Sequence, residues 1–362
     1  MAIEQIDIEE FLRLSEERPV LDVRCPAEYL HAHIPGAVSL PLFTDEQRKV
    51  IGTAYKQQSR QVAVKIGLGY FSHRMEGMLS DAEEKIKNGA EKGTEDNRVL
   101  VHCWRGGMRS RSVAWLLDLY GYKIYTLKGG YKAFRNWVLD QFEKKYPLKI
   151  MGGYTGSGKT RVLQEMKNQG ATVIDLERLA NHKGSAFGSI GEAPQPGQEM
   201  FENLLAIELF RGLLKSGVLT PEKTTEIEDE IWLEDESRHI GSVGIPKTLW
   251  NNMRESPLYF LEIPFEERLD YIISTYGTFE KNQLINSIVK IQKRLGGLET
   301  RNAINYLLDN NVKECFSILL HYYDKLYTTA LYKRENIHDV LNKISCKTVD
   351  IRNADKLDQV SC

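Results

Sequence analysis

The amino-acid sequence predicts an α/β protein built as two parallel-sheet domains, the second carrying a helical C-terminal extension. Three observations carry that expectation. The 362 residues exceed what one hydrophobic core usually serves. The apolar run Val99-Leu100-Val101-His102 stops abruptly at Cys103 and passes through a glycine-containing loop into a helical pattern from about Ser110. Further on, the strand-like Leu148-Lys149-Ile150-Met151 feeds Gly153-Tyr154-Thr155-Gly156-Ser157-Gly158-Lys159-Thr160, and a helical pattern follows over residues 161–166.

Composition narrows the class. Apolar residues make up 42% and charged residues 27% of the chain, and no apolar run is long enough to cross a bilayer. The acidic first ten residues lack a signal-peptide pattern. The five cysteines (Cys25, Cys103, Cys315, Cys346, Cys362) are odd in number and lack metal-ligand spacing, so a reducing cytoplasm is expected and a zinc site is not. With a net charge of −2, any nucleic-acid binding must come from a local patch.

In chain order, Phe11-Leu12-Arg13-Leu14 starts a short helix, and Val20-Leu21-Asp22-Val23-Arg24 is a strand ending in a charged pair. Residues 33–40 form a turn feeding another short strand. Cys103 then stands at the carboxyl end of a strand, where α/β sheets place ligands. Loop N–H groups, the following helix N-terminus and the charges of Arg105, Arg109 and Arg111 all favour an anion there, so the thiol pKa should be depressed. Gly106 and Gly107 let the loop close with its amides inward. The competing reading is a buried structural cysteine. Residues 47–75 carry six Lys or Arg and no acid, and residues 97–139 set eight against the single acid Asp118. That is a candidate phosphate-binding face, or simply a solvated one. Tyr70, Phe71, Trp104 or Tyr131 could stack on an extruded base.

Lys144-Lys145-Tyr146-Pro147 is predicted to be a linker. In the glycine motif that follows, successive amides wrap a phosphate, Lys159 neutralises it and Thr160 can reach a magnesium ion. Residues 171–177 form the next strand. The polar loop 181–188 offers His182 and Lys183 to a substrate, or is a plain connection. Ile231-Trp232-Leu233 ends in acids, of which Asp235 or Glu234 would orient the magnesium. Residues 256–268 make a strand-then-helix step, 272–334 are mostly helical, and 349–351 close the sheet.

Asp22-Val23-Arg24, His33-Ile34-Pro35-Gly36-Ala37 and the Cys103 loop together resemble a rhodanese domain, whose loop cysteine carries a persulfide cradled by amides. Asp22 and Arg24 would then orient the loop or form a structural ion pair. Fused to the P-loop, the chain resembles the tRNA 2-selenouridine synthases throughout. The resemblance rests on the Cys103-Trp104-Arg105-Gly106-Gly107-Met108-Arg109-Ser110 and Gly153–Thr160 motifs, Asn181-His182-Lys183-Gly184-Ser185 and Glu234-Asp235-Glu236-Ser237-Arg238. It implies a rhodanese-like α/β domain over residues 1–140 and a P-loop NTPase-like parallel-sheet domain with a helical C-terminal region over 148–362. It also implies replacement of sulfur by selenium in wobble 2-thiouridine, with selenophosphate as donor and an S-geranyl intermediate made from geranyl diphosphate. Cys103 would carry selenium, with residues 104–109 as its anion loop. Residues 153–160 would hold the diphosphate. His182, Lys183, Ser185, Asp235 and Arg238 are candidate substrate contacts. The tRNA anticodon arm would dock on the basic face with its base flipped out. No tightly bound cofactor is expected, and magnesium is an option. The rival readings are an ATP-dependent tRNA sulfurtransferase, which nucleotide turnover would reveal, and a non-catalytic chalcogen carrier or tRNA-binding scaffold, which would be indifferent to loss of Cys103.

Overall fold

The computed structural model describes residues 3–89, 97–215 and 230–360, so Cys362 lies outside the described residues. The chain divides into two compact units, Met1–Gln141 and Phe142–Cys362.

The first unit is a five-stranded parallel sheet of β1 (Ile3–Ile6), β2 (Val20–Asp22), β3 (Val38–Ser39), β4 (Arg98–His102) and β5 (Lys123–Leu127), in the order β1-β5-β4-β2-β3. Central β4 is apolar and buried along Val99, Leu100 and Val101, as a strand covered on both faces must be. Register pairs Asp22 with His102 and Val101 with Thr126, so β2, β4 and β5 end together beneath the Cys103 loop. The first helix, Ile8–Ser15, begins before Phe11 because Asp7 caps it by accepting from the Glu10 N–H. The strand expected to run to Arg24 stops at Asp22, whose carboxylate takes the Arg24 N–H at 3.0 Å in place of a ladder bond. Helix Asp45–Gln57 starts at a Thr44/Gln47 capping box, and the long helix Arg60–Gly89 follows. Phe71, Met78 and Ala82 of the long helix pack on a core that includes Val99, Val101, Val113 and Leu117.

The second unit has its own parallel sheet of β6 (Leu148–Gly153), β7 (Thr172–Ile174) and β8 (Ile231–Glu234). A small antiparallel hairpin of β9 (His239–Ile240) and β10 (Val243–Gly244) follows, and β11 (Leu258–Glu262) and β12 (Leu341–Ser345) complete the main sheet in the order β12-β11-β6-β8-β7. Every residue of β6 is buried. The expectation that 349–351 closes the sheet is corrected: β12 does so, paired from Leu258↔Leu341 to Glu262↔Ser345. Asp350 instead turns the chain by accepting the Arg352 N–H, and Val349 packs on the core. Residues 144–147 are held to the second unit, since Tyr146 is buried and its N–H donates to Asn252. The stretch after Tyr276 is helical, from Lys281–Lys290 through Gly297–Leu308 to Val312–Leu331. No described helix is long and apolar enough to cross a membrane.

Candidate active site

The chain presents two chemical centres, one in each unit. In the first, Cys103 is buried at the end of β4, and helix Met108–Leu119 starts just beyond it. Its Sγ is hydrogen-bonded to Ser110 Oγ at 3.2 Å. Burial raises the thiol pKa, but the Ser110 hydroxyl, the N–H groups of Ser110 and Arg105, and the Arg109 charge outweigh it, so the net direction is down. Of the three loop arginines, Arg109 supplies charge and Arg105 its main-chain N–H, while the Arg111 side chain is exposed. Arg109 is itself paired with Glu28 at 2.7 Å. Cys25, beside Glu28, is a bystander: burial first, then Glu28, push its thiol up to about 12.

The loop is held from behind. Tyr131 N–H donates to the Cys103 carbonyl at 2.8 Å and Lys132 N–H to the Trp104 carbonyl at 3.0 Å. Gly130, at φ +62°, lies so close that a methyl group there would overlap the Cys103 carbonyl oxygen. Gly106, at φ +61°, packs on the Leu127 carbonyl, where a Cβ would stand 2.6 Å from the oxygen. The Arg24 guanidinium lies over the Tyr131 ring at 3.9 Å and is paired with Asp22 at 2.6 Å, both side chains fully buried. Asp22 and Arg24 thus make a buried ion pair that also supports the residue holding Cys103. Phe71 and Tyr131 are buried, which rules both out as stacking platforms for a base. Trp104 is exposed and rests at 5.6 Å from Tyr131, and Tyr70 is half-buried. A cleft of about 670 Å³ opens at Cys103, lined in part by Arg48, Lys49, Lys56, Arg105 and Arg109.

The second centre is the loop between β6 and helix Lys159–Asn168. Gly153, Gly156 and Gly158 all have positive φ, which lets successive amides turn inward. Lys159 Nζ donates to the Gly153 carbonyl at 3.1 Å. Arg268, which sequence reasoning left without a role, is buried and clamps the loop: it donates to the Thr155 carbonyl at 3.0 Å and is bidentate with Asp324 at 2.9 and 2.7 Å. Tyr327 was also missed; it accepts the Gly153 N–H and donates to Asp235 at 2.5 Å. Spacing alone hints at both, because 268, 272 and 276, and 316, 320, 323 and 327, repeat at helical intervals toward this loop.

Asp235 is committed to Tyr327 and to an ion pair with Arg334. The carboxylates that gather beside Lys159 and Thr160 are Glu234, Glu177 and Glu236, close enough together to share one cation. Both Glu234 carboxylate oxygens are buried with no hydrogen-bond partner among the described residues. Burial, stronger than the pull of Lys159 and the Thr160 hydroxyl, drives its carboxyl pKa up. Burial and then the neighbouring carboxylates push Glu177 up to about 9 and Glu236 up to about 8. Among the other predicted contacts, Lys183 pairs with Glu192 at 2.9 Å and Ser185 Oγ accepts the Phe187 N–H. His182 packs under Gly188 with its pKa lowered, by burial first and then by Lys290. Arg238 is exposed.

Comparison with known proteins matches residues 7–136 to the rhodanese-like domain and residues 146–350 to the tRNA 2-selenouridine synthase AAA domain. A tRNA 2-selenouridine synthase of Sulfurovum sp. (strain NBC37-1) is 33% identical over 340 residues, covering 85% of this chain and 87% of that protein. That of Nitrosomonas eutropha (strain DSM 101675 / C91 / Nm57) is 36% identical over 379 residues, covering 91% and 93%. That of Pseudomonas fluorescens (strain Pf0-1) is 32% identical over 352 residues, covering 88% and 89%.

Proposed function

The chain belongs to the tRNA 2-selenouridine synthases, and from that premise we propose that it replaces sulfur by selenium in wobble 2-thiouridine of tRNA by way of an S-geranyl intermediate. The observation that carries the reading is Cys103: a buried thiol favoured as thiolate by inward donors at the end of a strand. The Cys103 thiolate attacks C2 of the geranylated base, the C2–S bond breaks, and geranyl thiolate leaves and takes up a proton. The selenium of selenophosphate then attacks C2 and expels the Cys103 thiolate, and water cleaves the Se–P bond to release phosphate and the selenouridine, with no change of oxidation state at any step. Geranylation makes sense of the first displacement, because an alkylated sulfur leaves as a thiolate and a bare thiocarbonyl does not.

The P-loop residues 153–160 take the diphosphate of geranyl diphosphate, with Lys159 facing its charge. Next to Thr155 and Ser185 the loop borders an apolar cavity of about 40 Å³ lined by Ile272, Tyr276, Phe316 and Leu320 among others, and that apolar lining suits a prenyl better than a nucleoside group. Glu234, Glu177 and Glu236 with Thr160 fit a divalent cation, because the Glu234 oxygens are otherwise buried without partners. Such a cation would supply charge neutralisation of the departing diphosphate.

The test is an omission series. Thiolated tRNA is incubated with protein, with either donor left out, and its nucleosides are analysed by mass spectrometry. S-geranyl-2-thiouridine with geranyl diphosphate alone, and selenouridine only with both donors, support the reading. Selenouridine formed without geranyl diphosphate, or only with ATP, contradicts it.

A further inference from the structure

Within that reading, we propose that the cleft beside Cys103 is a prenyl-binding site, which takes the hydrocarbon chain of the S-prenylated base and so places its C2 at the Cys103 sulfur. The cleft, about 670 Å³, has the size of a small-molecule site and is lined by Cys103 itself. A flat, polar uracil needs no large apolar wall, yet Phe43, Ile51, Val64 and Leu68 provide one between helices Asp45–Gln57 and Arg60–Gly89 and the Cys103 loop. Leu68 is 58% exposed, Tyr55 57% and Met108 53%, and all three line this cleft. Large apolar side chains left in water around one concavity mark a surface that a ligand covers. The charge pattern fits the rest of the substrate: Arg48, Lys49, Lys56 and Arg105 line the same opening and would meet RNA phosphates, while the chain goes inward.

Gly67 gives a clean handle. A Cβ there would stand 3.5 Å from Phe43 Cζ and 3.7 Å from Ile51 Cδ1, ordinary contact distances on a helical backbone. A side chain can therefore start at Gly67 without straining the helix, and Gly67→Leu adds bulk to the cleft wall. Leu68→Asp changes its polarity at an exposed position.

The experiment bypasses geranylation. Anticodon stem-loop RNA carrying either S-geranyl- or S-methyl-2-thiouridine is supplied with selenophosphate, and kcat/KM for selenouridine formation is measured for wild type, Gly67→Leu and Leu68→Asp. Geranylation of 2-thiouridine RNA by the same proteins is followed in parallel. Because excluding two methylenes costs roughly tenfold to twentyfold in affinity, both variants are expected to lose about tenfold on the S-geranyl RNA. Their rates on the S-methyl RNA and in geranylation should match wild type. Equal losses on both RNAs, or none, overturn the prenyl site and leave the two-step reaction standing. Wild type that makes no selenouridine from S-geranyl RNA overturns the two-step reaction, and the prenyl site with it.

Discussion

Replacing Ser110 with alanine removes one oxygen from the molecule and tests how Cys103 is kept reactive. The hydroxyl lies 3.2 Å from the sulfur and is buried, so no water takes its place at once. A hydrogen bond to a charged group is worth about 1.5–3 kcal/mol. At about 1.4 kcal/mol for each pKa unit, Ser110→Ala raises the Cys103 pKa by roughly one to two. The sign follows from the chemistry: the hydroxyl stabilises the thiolate, so its loss shifts the thiolate to higher pH. The assay is the pH profile of iodoacetamide alkylation, read on the Cys103 peptide by mass spectrometry. Cys25 and Cys315 do not compete near neutrality, since burial drives both thiols up to about 12. The alkaline plateau should be unchanged and only the midpoint should move. Arg109→Gln should move it less, because Arg109 spends much of its charge on Glu28. An unmoved midpoint in Ser110→Ala would refute the argument and leave the main-chain N–H groups and the Arg109 charge to hold the thiolate.

Three further outcomes follow from the same geometry. Gly130→Ala should destabilise the first unit by at least about 2 kcal/mol in chemical denaturation, because its methyl group would overlap the Cys103 carbonyl at a positive φ. Arg268→Met should cost the second unit about 3 kcal/mol and abolish P-loop-dependent geranylation, because Asp324 would keep its charge with only partial solvent contact. Glu177 and Glu236 have folded-state pKa values raised to about 9 and about 8, so their contribution is fully present below the unfolded carboxyl pKa and is lost as pH rises. Without divalent cation, the melting temperature should therefore fall between pH 7 and 9, and Glu177→Gln should flatten that slope.

The fold was largely legible where sequence and tertiary structure ask for the same thing. Val99-Leu100-Val101 had to be a buried parallel strand, and the glycines of 153–158 take the positive φ that turning successive amides inward requires. The setting of Cys103 was legible for the same reason, since its donors come from its own loop and helix. What was hidden depends on distant chain segments. Asn342 and Lys343 make β12 look like an exposed connection, and only pairing with β11 makes it a strand. Arg268 and Tyr327 reach the P-loop from helices more than a hundred residues away, so no local motif announces them. Of the two acids offered for orienting a cation, Glu234 faces the P-loop and Asp235 does not, because successive residues at a strand end point to opposite sides and Arg334 claims Asp235. Phe71 and Tyr131 illustrate the converse: aromatic residues in a basic stretch looked like base platforms, and core packing had already used them.

The central claim is that the two centres divide one reaction, with alkylation at the P-loop and chalcogen exchange at Cys103. It is tested most directly by nucleoside mass spectrometry of thiolated tRNA after incubation with both donors and wild type, Cys103→Ala or Lys159→Ala. The account predicts selenouridine with wild type, accumulated S-geranyl-2-thiouridine with Cys103→Ala, and unmodified 2-thiouridine with Lys159→Ala. Selenouridine formed by either variant at the wild-type rate, or 2-thiouridine left untouched by all three proteins, would contradict it.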